Sequence, residues 1–472
     1  MLYMVRCILE MKTPLHCGTK SDGGSTPHAN TDAFGFWRIP GTAMSGILRR
    51  WLRTYQGEKL ERELFGDEVR HSIVSVSDGV LLDYDSQPAS KKSLTGAKTQ
   101  IPIKTYLRDR IQIDYETGTV APGHKFNLEY VPAGTRFAVE IILNGWEQEP
   151  SKEAVDGFSH LIYALKSNQL HFGGYASCGY GSYTTVECQC RKLDLTDPKQ
   201  MEQWMQLDDA PVFPKTFGQT WEPKDSKVLV KEDRISGTIT LPFYSSYPIL
   251  IAGGMPAGDV DADLCFATTT YYDYSKKEVQ EHLVLPGSSL RGVIRHRAYQ
   301  ILQLMGCPDP MSELNELFGA IGSQTQVGRL SFFDAPLFVY DKQYADFNNC
   351  RVVQHVSIDR FTSEAVDAHI FNEAPLWHDK VLFALSVRLN SIKPSHAAIL
   401  LHTILDLAEG TIRIGHGTKR GNGRVFLDRN QPIKCRLSWN GQELQGDNTA
   451  MAKQWLSKIA AVCKEKGYAV SV

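Results

Sequence analysis

The 472-residue chain has no apolar run near the ~18 residues that a membrane-spanning helix needs. Its first residues, MLYMVRCILEMK, lack the long uncharged apolar core of a secretory leader and alternate as a strand does. Ten cysteines are present but no C-x-x-C pair. Cys188 and Cys190, in the strand-like TTVECQC, share one face and read as ordinary reduced thiols. A reducing, cytoplasmic setting without a membrane is the expectation. Phosphate-loop and metalloprotease signatures are missing, as are a G-x-S-x-G elbow and a zinc ligand set. Basic excess is missing too, since the net charge is −2. That excludes little, because a nucleic-acid groove needs only a local basic face. The 42% hydrophobic content suffices for packed cores, and the length suggests more than one domain.

What the chain does have is an internal repeat. Residues 39–50, IPGTAMSGILRR, match 285–296, LPGSSLRGVIRH, with Pro40, Gly41, Gly46 and Arg49 meeting Pro286, Gly287, Gly292 and Arg295. Leu64-Phe65-Gly66 then meets Leu317-Phe318-Gly319, and Ser75 and Asp78 meet Ser331 and Asp334. Residues 110–127 align without gaps to 355–372, so that Ile113, Asp114, Thr117, His124, Phe126 and Asn127 meet Ile358, Asp359, Thr362, His369, Phe371 and Asn372. Finally Gly173, Gly179 and Gly181 meet Gly415, Gly421 and Gly423. Four blocks in one order at a nearly constant offset mark a tandem duplication. The first copy spans 1–194 and the second 230–472. Residues 195–229, rich in Pro, Asp and Lys, read as a linker with a short helix at 199–206. Each copy reads as strand, long loop, Pro-Gly turn, helix, strand, hairpin-like insertion, strand, helix, Gly-rich turn and strand. The helices before the Gly-rich turns fall at about 153–167 and 395–408. That is an α+β pattern with antiparallel sheets.

Three kinds of block can carry chemistry. After each Pro-Gly turn, Thr42 or Ser288 stands where a helix cap would, and a helix N-terminus with open N–H groups suits a phosphate. Arg49, Arg50 and Arg53 follow at helical spacing, as do Arg291 and Arg295, with Arg297 nearby. A capped helix with a solvated basic face is the plainer reading of the same residues. The second Gly-rich turn carries Arg413, His416, Lys419, Arg420 and Arg424, the pattern of a phosphate cradle. The first carries Tyr175, Ser177, Cys178, Tyr180 and Ser182, suited to base stacking or to a tight structural turn. The loops before the Pro-Gly turns hold Asp22, His28 and Asp32 in copy one, and Asp259, Asp261 and Asp263 in copy two. Such carboxylates can hold a divalent ion or orient an attacking hydroxyl, or be plain turn residues.

Together these blocks resemble the RAMP superfamily of CRISPR-associated proteins, above all the backbone subunits of type III effector complexes. The likeness rests on Pro14-Leu15-His16-Cys17-Gly18, Ile39 to Arg49, Leu64 to Gly66, Asp78, Ile113 to Gly118 and the turn at 173–181. It recurs in Leu285 to Arg295, Leu317 to Gly319, Asp334, Ile358 to Thr362 and Gly415 to Arg424. The resemblance implies two tandem ferredoxin-like (RRM-like) domains, each with a β-hairpin thumb, at about 108–135 and 353–378. Asp114, His124, Asp359 and His369 belong to those thumbs. It implies partners in guide RNA, target RNA and other CRISPR effector subunits. Guide contacts fall on Arg49, Arg50, Arg53, Ser288, Arg291, Arg295, His416, Lys419, Arg420 and Arg424. Target cleavage with a transient Mg²⁺ or Mn²⁺ ion falls on a loop aspartate. By position that residue is Asp32 in copy one, eight residues before Pro40, and Asp263 in copy two, with Asp261 competing. Asp32 and Asp263 would hold the metal, and His28 can assist. Copy one departs from the pattern at Ser45 and in a terminal turn without lysine or arginine, which puts its guide contacts in doubt. Two other functions fit the same resemblance: a catalytically inactive structural guide-binding subunit with cleavage done by another subunit, and a guide-processing ribonuclease acting through a histidine or tyrosine without metal.

Overall fold

The computed structural model describes residues 1–19, 27–96, 101–104, 106–113, 120–145, 149–224, 233–253, 262–320, 326–339, 343–439, 442–446 and 457. Two antiparallel sheets dominate. In the first, strands lie in the order Gln219–Thr220, Tyr183–Leu193, Leu2–Met11, Arg136–Asn144, Gly79–Leu81 and Arg38–Ile39, and Val74–Val76 also pairs with Arg136–Asn144. In the second the order is Gln343–Tyr344, Phe338–Val339, Val381–Ile392, Ile235–Ser245, Lys434–Trp439 and Gln442–Gly446. Leu330–Phe332 and Phe426–Leu427 attach to it on Val381–Ile392 and Ile235–Ser245. The chain is therefore a mixed α and β protein with antiparallel sheets, as the alternation of its strands implies.

Sequence periodicity explains the main elements. Arg136–Asn144 alternates strictly, burying Phe137, Val139, Ile141 and Leu143. Val381–Ile392 buries Val381, Phe383, Leu385, Val387 and Leu389 in the same way. Helix Gly41–Tyr55 buries Met44, Leu48, Trp51 and Leu52, and helix Gly287–Leu304 buries Leu290, Ile294, Ala298 and Leu302. Met44 and Leu48 match Leu290 and Ile294 at the repeat offset, so each copy points the same stripe at its own sheet. Helices Lys152–Lys166 and Pro394–Ala408 lie within a residue or two of the expected 153–167 and 395–408. Two short helices, Glu58–Phe65 and Pro310–Phe318, were not anticipated.

A hairpin stands out of each half. Tyr106–Ile113 pairs with Val120–Tyr130, and Val353–Ile358 pairs with Ala365–Glu373. The stretch read as a linker is described up to Lys224, and it lies against the first sheet. Pro198–Met205 is its helix, Phe213 and Phe217 are buried on Leu2, Met4 and Leu193, and Trp221 meets Tyr3 edge-on.

The second half contributes a feature that its sequence disguised. Residues up to Tyr274 read as the end of an acid-bearing loop, yet Thr268–Asp273 and Glu278–Leu285 form an antiparallel hairpin. Its Tyr272 and Tyr274 are buried within the core of the first half. Tyr272 N–H donates to Ala133 O at 2.8 Å, its hydroxyl donates to Pro102 O, and the Tyr274 hydroxyl donates to Leu82 O at 2.6 Å. Gly134 lies under this strand, where an added Cβ would stand 2.1 Å from Tyr272 O, so glycine is required. The two halves are thus interlocked, and the space between them is fixed.

Candidate nucleic-acid interface

The Pro-Gly turns place their helices alike in both halves, but not by the expected cap. Pro40 and Pro286 are the N-cap residues, and neither makes a side-chain cap bond; Thr42 and Ser288 stand inside the helix. The first free N–H is met from across the turn. Gly41 N–H donates to Asp78 Oδ1 at 2.7 Å, and Gly287 N–H donates to Asp334 Oδ1 at 2.8 Å. A carboxylate at that end also suits the helix dipole. This corrects the phosphate reading of these helix ends, since an internal anion already occupies each. It also accounts for the Asp that the repeat keeps in both copies.

Two arginines expected to meet RNA are consumed internally. Glu61 is fully buried. Arg49 donates to it, Arg53 donates to it at 2.9 Å, and Arg49 also reaches Gly66 O at 2.9 Å. Burial pushes the Glu61 carboxyl up, but these guanidiniums outweigh it and hold it below the ordinary range. Arg424 lies over the rings of Tyr247 and Phe426, away from the interface.

The remaining basic residues converge on one groove of about 2510 Å³. It runs between the halves, walled by the Gly41 and Gly287 helices, the first hairpin and both Gly-rich turns. Ten arginine and lysine residues line it against two carboxylates, Asp109 and Glu281; four of the ten, Arg108, Arg297, Arg329 and Arg420, are paired with Asp334, Asp406, Glu316 and Glu373 outside the lining, and the remaining surplus makes the wall basic although the chain is not. Of the guide-contact and cleavage residues that the resemblance implies, Arg50, Ser288, Arg291, Arg295, His416, Lys419 and Arg420 are in this lining; Arg49, Arg53, Arg424, Asp32 and Asp263 are not. Arg291 donates to Phe318 O at 2.7 Å and Arg295 to Asn315 Oδ1 at 3.2 Å. Arg110, Arg329 and Arg413 also line it. Arg110 alternates with Arg108 on one strand, a spacing that in sequence does not mark a binding cluster. Its guanidinium lies 4.6 and 5.0 Å from the Tyr175 and Tyr180 ring centroids. Tyr180 is buried there, which makes these tyrosines a packed platform.

The loop aspartates are not equivalent. Asp263 is exposed; its N–H donates to Asn372 O at 2.9 Å, and its Oδ2 accepts from Asn372 N–H at 2.8 Å. It therefore sits against the foot of the second hairpin, three residues before Phe266, which lines the groove. In the first half the corresponding foot is met by Pro27 to Ala29. Glu129 N–H donates to Pro27 O, and the Glu129 carboxylate takes Ala29 N–H at 2.9 Å and His28 Nδ1 at 3.1 Å. Asp32 lies beyond, in a turn whose Phe34 and Phe36 N–H groups both donate to its Oδ1 at 2.9 Å. Asp32 and Asp263 thus share neither position nor surroundings. Asp22, Asp259 and Asp261 lie outside the described residues.

At the hairpin tips, Asp359 Oδ1 accepts from Phe361 N–H and Thr362 N–H at 2.8 and 2.9 Å, closing the turn. Those two bonds hold its carboxyl below the usual range. Phe361 beside it is 94% exposed and Ile358 65%, an apolar tip left in solvent. His369 is exposed, with Nδ1 2.8 Å from Asp367 O. Asp114 lies outside the described residues, as does the side chain of His124.

The repeat, the two capped helices and the paired hairpins agree with what the sequence matches. A protein named CRISPR system Cms endoribonuclease Csm3, from Methanocaldococcus jannaschii, is 28% identical over 196 residues, covering 37% of this chain and 74% of its own length. Solved structures of a type III-B Cmr-beta complex align weakly. The apo state gives a TM-score of 0.31 at 15% identity over 39% of this chain and 97% of the matched chain. The state bound to cognate target RNA gives 0.30 at 14% identity over 39% and 96%. The RAMP superfamily family model matches residues 8–184 and 273–425, most of both copies, and on that match the chain belongs to the RAMP superfamily.

Proposed function

We propose that the chain is a guide-RNA-binding backbone subunit of a type III CRISPR effector complex, and that its second copy cleaves guide-paired target RNA. The observation that carries the reading is the groove, whose lining holds ten cationic side chains, four of them paired with carboxylates outside it, to two carboxylates of its own, in a chain of net charge −2. A polyanion is the ligand such a field selects. The related protein from Methanocaldococcus jannaschii carries "CRISPR system" and "endoribonuclease" in its name, which supports both parts. In this reading each copy is a ferredoxin-like domain, 1–194 and 230–472, with its hairpin as a thumb. The exposed Phe361 and Ile358 are suited to wedge between base steps.

Cleavage is assigned to Asp263 rather than to Asp32. Asp263 is exposed at the foot of a hairpin, and among the described residues its Oδ1 has no hydrogen-bond partner. Asp32 likewise spends one oxygen, Oδ1, but on N–H groups of its own turn, so the choice rests on the place of Asp263 at the hairpin foot. That favours a structural first copy joined to a cutting second one. An Mg²⁺ or Mn²⁺ ion here would take Asp263 as its carboxylate ligand beside phosphate oxygens of the RNA, the one- or two-carboxylate mode that suits such ions; among the described residues neither aspartate belongs to a group of three potential protein ligands. Among the described residues the one such group is Glu313, Glu316 and His396, where Lys393 already neutralises Glu316 at 2.5 Å. No step is routed through an ion.

The test is the full chain loaded with guide RNA and given a labelled complementary RNA. Asp263→Asn should abolish one cut and leave guide binding intact, while Asp32→Asn leaves every cut in place. Uncut target with wild-type chain, or unchanged cutting by Asp263→Asn, refutes the catalytic part. Absence of RNA binding refutes the whole.

A further inference from the structure

The two Gly-rich turns share a backbone and differ in what it carries. Tyr175 and Gly417 hold the same place, each just ahead of a short helical turn, Ala176–Cys178 or Thr418–Arg420. Both are left-handed, Tyr175 at φ 59° and ψ 27°, Gly417 at φ 71° and ψ 20°. Gly179 and Gly421 repeat the match on the far side, at φ 81° and 104°. Glycine adopts this backbone freely, whereas a bulky side chain there is an outlier. Along the same turn Ser177 and Cys178 stand at the places of Lys419 and Arg420. The first copy therefore carries one aromatic ring, on strained backbone, where the second carries two cations.

That ring borders the groove. Tyr175 is half-buried and lines the wall. Arg110, on the first hairpin, lies over one face of it, the guanidinium carbon 4.6 Å from the ring centre. His16 and Tyr180 flank the ring at 62° and 58° to its plane, so among the described residues no ring is stacked on it. Arg110 is only 8% exposed. Among the described residues its one hydrogen bond runs from Nη1 to the Cys178 sulfur at 3.4 Å, and Nε and Nη2 have no partner. A buried charge is costly unless paired, and here rings surround the cation without an anion. Tyr180, buried 5.0 Å from the same guanidinium, already shields it, so cover for Arg110 does not require a second ring on strained backbone.

We propose that Tyr175 is a stacking platform for one unpaired base of the RNA, so that the first copy holds the strand by a base where Lys419 of the second serves a phosphate. The proposal rests on the reading of the groove as an RNA site. Every base has a flat π face, so stacking on a phenol ring tolerates sequence. Arg110 draws the electron density of the ring toward itself, which leaves the open face poorer and favours an electron-rich purine. The phosphates flanking the stacked base bring the negative charge that the protein does not give Arg110.

The experiment titrates the full chain with two probes of equal length and charge, a short single-stranded oligoadenylate and the same oligomer with every base removed. Wild type should bind the oligoadenylate more tightly by at least the contribution of one stacked base, about 5- to 150-fold. Tyr175→Gly, which gives the turn the residue of the second copy, should lose about that factor for the oligoadenylate. It should stay within about twofold of wild type for the abasic oligomer, whose phosphates are still met by the same cations. Tyr175→Asn, whose short side chain also tolerates left-handed backbone, gives the same reading should glycine loosen the turn. Tyr175→Phe keeps the ring and should match wild type on both probes. A ring that only packs on Arg110 gives another result: its removal weakens both probes alike, and that outcome overturns the proposal. So do Tyr175→Gly and Tyr175→Asn chains that bind both probes as wild type does, or a wild-type chain that binds the two probes equally. A wild-type chain that binds neither probe removes instead the reading of the groove as an RNA site, and this proposal with it.

Discussion

Arg108, on the hairpin of the first copy, donates to Asp334 of the second copy at 2.5 Å, with side chains only 6% and 8% exposed. The same Asp334 caps the Gly287 helix through its other oxygen. Burial alone would lower the affinity of Arg108 for its proton, but Asp334 raises it, so the pair is charged. In the first copy the equivalent Asp78 is neutralised within its own half by Arg38, at 2.6 Å and half-exposed. One ion pair therefore ties helix capping to the junction between copies, and the other does not.

Arg108→Ala should cost about 3–5 kcal/mol of unfolding free energy, because it leaves the buried Asp334 without its counter-charge and with only the Gly287 N–H. Arg38→Ala should cost about 1 kcal/mol or less, since its pair is open to water. Chemical denaturation of the two variants measures the contrast. Equal losses would refute the distinction between a sealed and an open copy.

Acid should loosen the same junction. His171 of the first copy accepts from the Arg388 guanidinium of the second, and its ring stacks on Phe333. Burial first, and the Arg388 charge second, push its pKa down to about 3. The unfolded chain binds this proton near pH 6.5 and the folded chain does not, so the folded state gains from the neutral ring above that pH. The gain is lost progressively as pH falls from about 6.5 to about 3. At about 1.4 kcal/mol per unit, a few kcal/mol are at stake. Denaturation midpoints taken from pH 7 to pH 4 should fall in wild type and fall less steeply in His171→Gln.

Much of this architecture was written in local patterns. The alternation of 136–144 and the stripe Met44, Leu48, Trp51 each identify an element because burial repeats with the element's own period. The repeat marked Asp78 and Asp334 as worth keeping, but their use was invisible. Asp334 meets Arg108 across 226 residues, and no short-range rule connects them. The hairpin 268–285 reads as a loop because Tyr272 and Tyr274 pack into the other copy while Leu283, Val284 and Leu285 pack into its own, so its two strands share no single buried face. Arg49 and Arg53 read as a binding face because helical spacing shows where side chains point, not that a buried Glu61 from the next helix awaits them. Glu373 escaped notice because a lone acid at a strand end is ordinary until the fold brings His355, His416 and Arg420 around it.

Tyr272 should behave as a structural pin. It is 0% exposed, meets Trp37 edge-on with centroids 6.0 Å apart, and has Tyr106 Oη 3.1 Å from its hydroxyl. Tyr272→Ala should cost about 3–5 kcal/mol, as large-to-small aromatic truncations do. Tyr272→Phe should cost about 1 kcal/mol for the lost hydroxyl bonds. Limited proteolysis should cut the Ala variant between the copies sooner than wild type, and equal cutting rates would show that the hairpin does not hold the halves together.

Basic residues that sequence grouped together should separate by experiment. Lys419 lines the groove, and among the described residues it has no ion-pair partner; the same holds for Arg50. Each Lys or Arg that neutralises one phosphate contributes about one counterion to the salt dependence of RNA binding. Lys419→Ala and Arg50→Ala should each weaken binding and reduce the slope of log K against log salt by about one, with little change in stability. Arg49→Ala should do the opposite. It leaves the buried Glu61 with Arg53 alone, which should cost about 3 kcal/mol of stability, and it should leave the salt slope unchanged because Arg49 stands outside the groove lining. If Arg49→Ala changes the slope and Lys419→Ala does not, the polyanion lies along the outer face of the Gly41 helix and not in the groove.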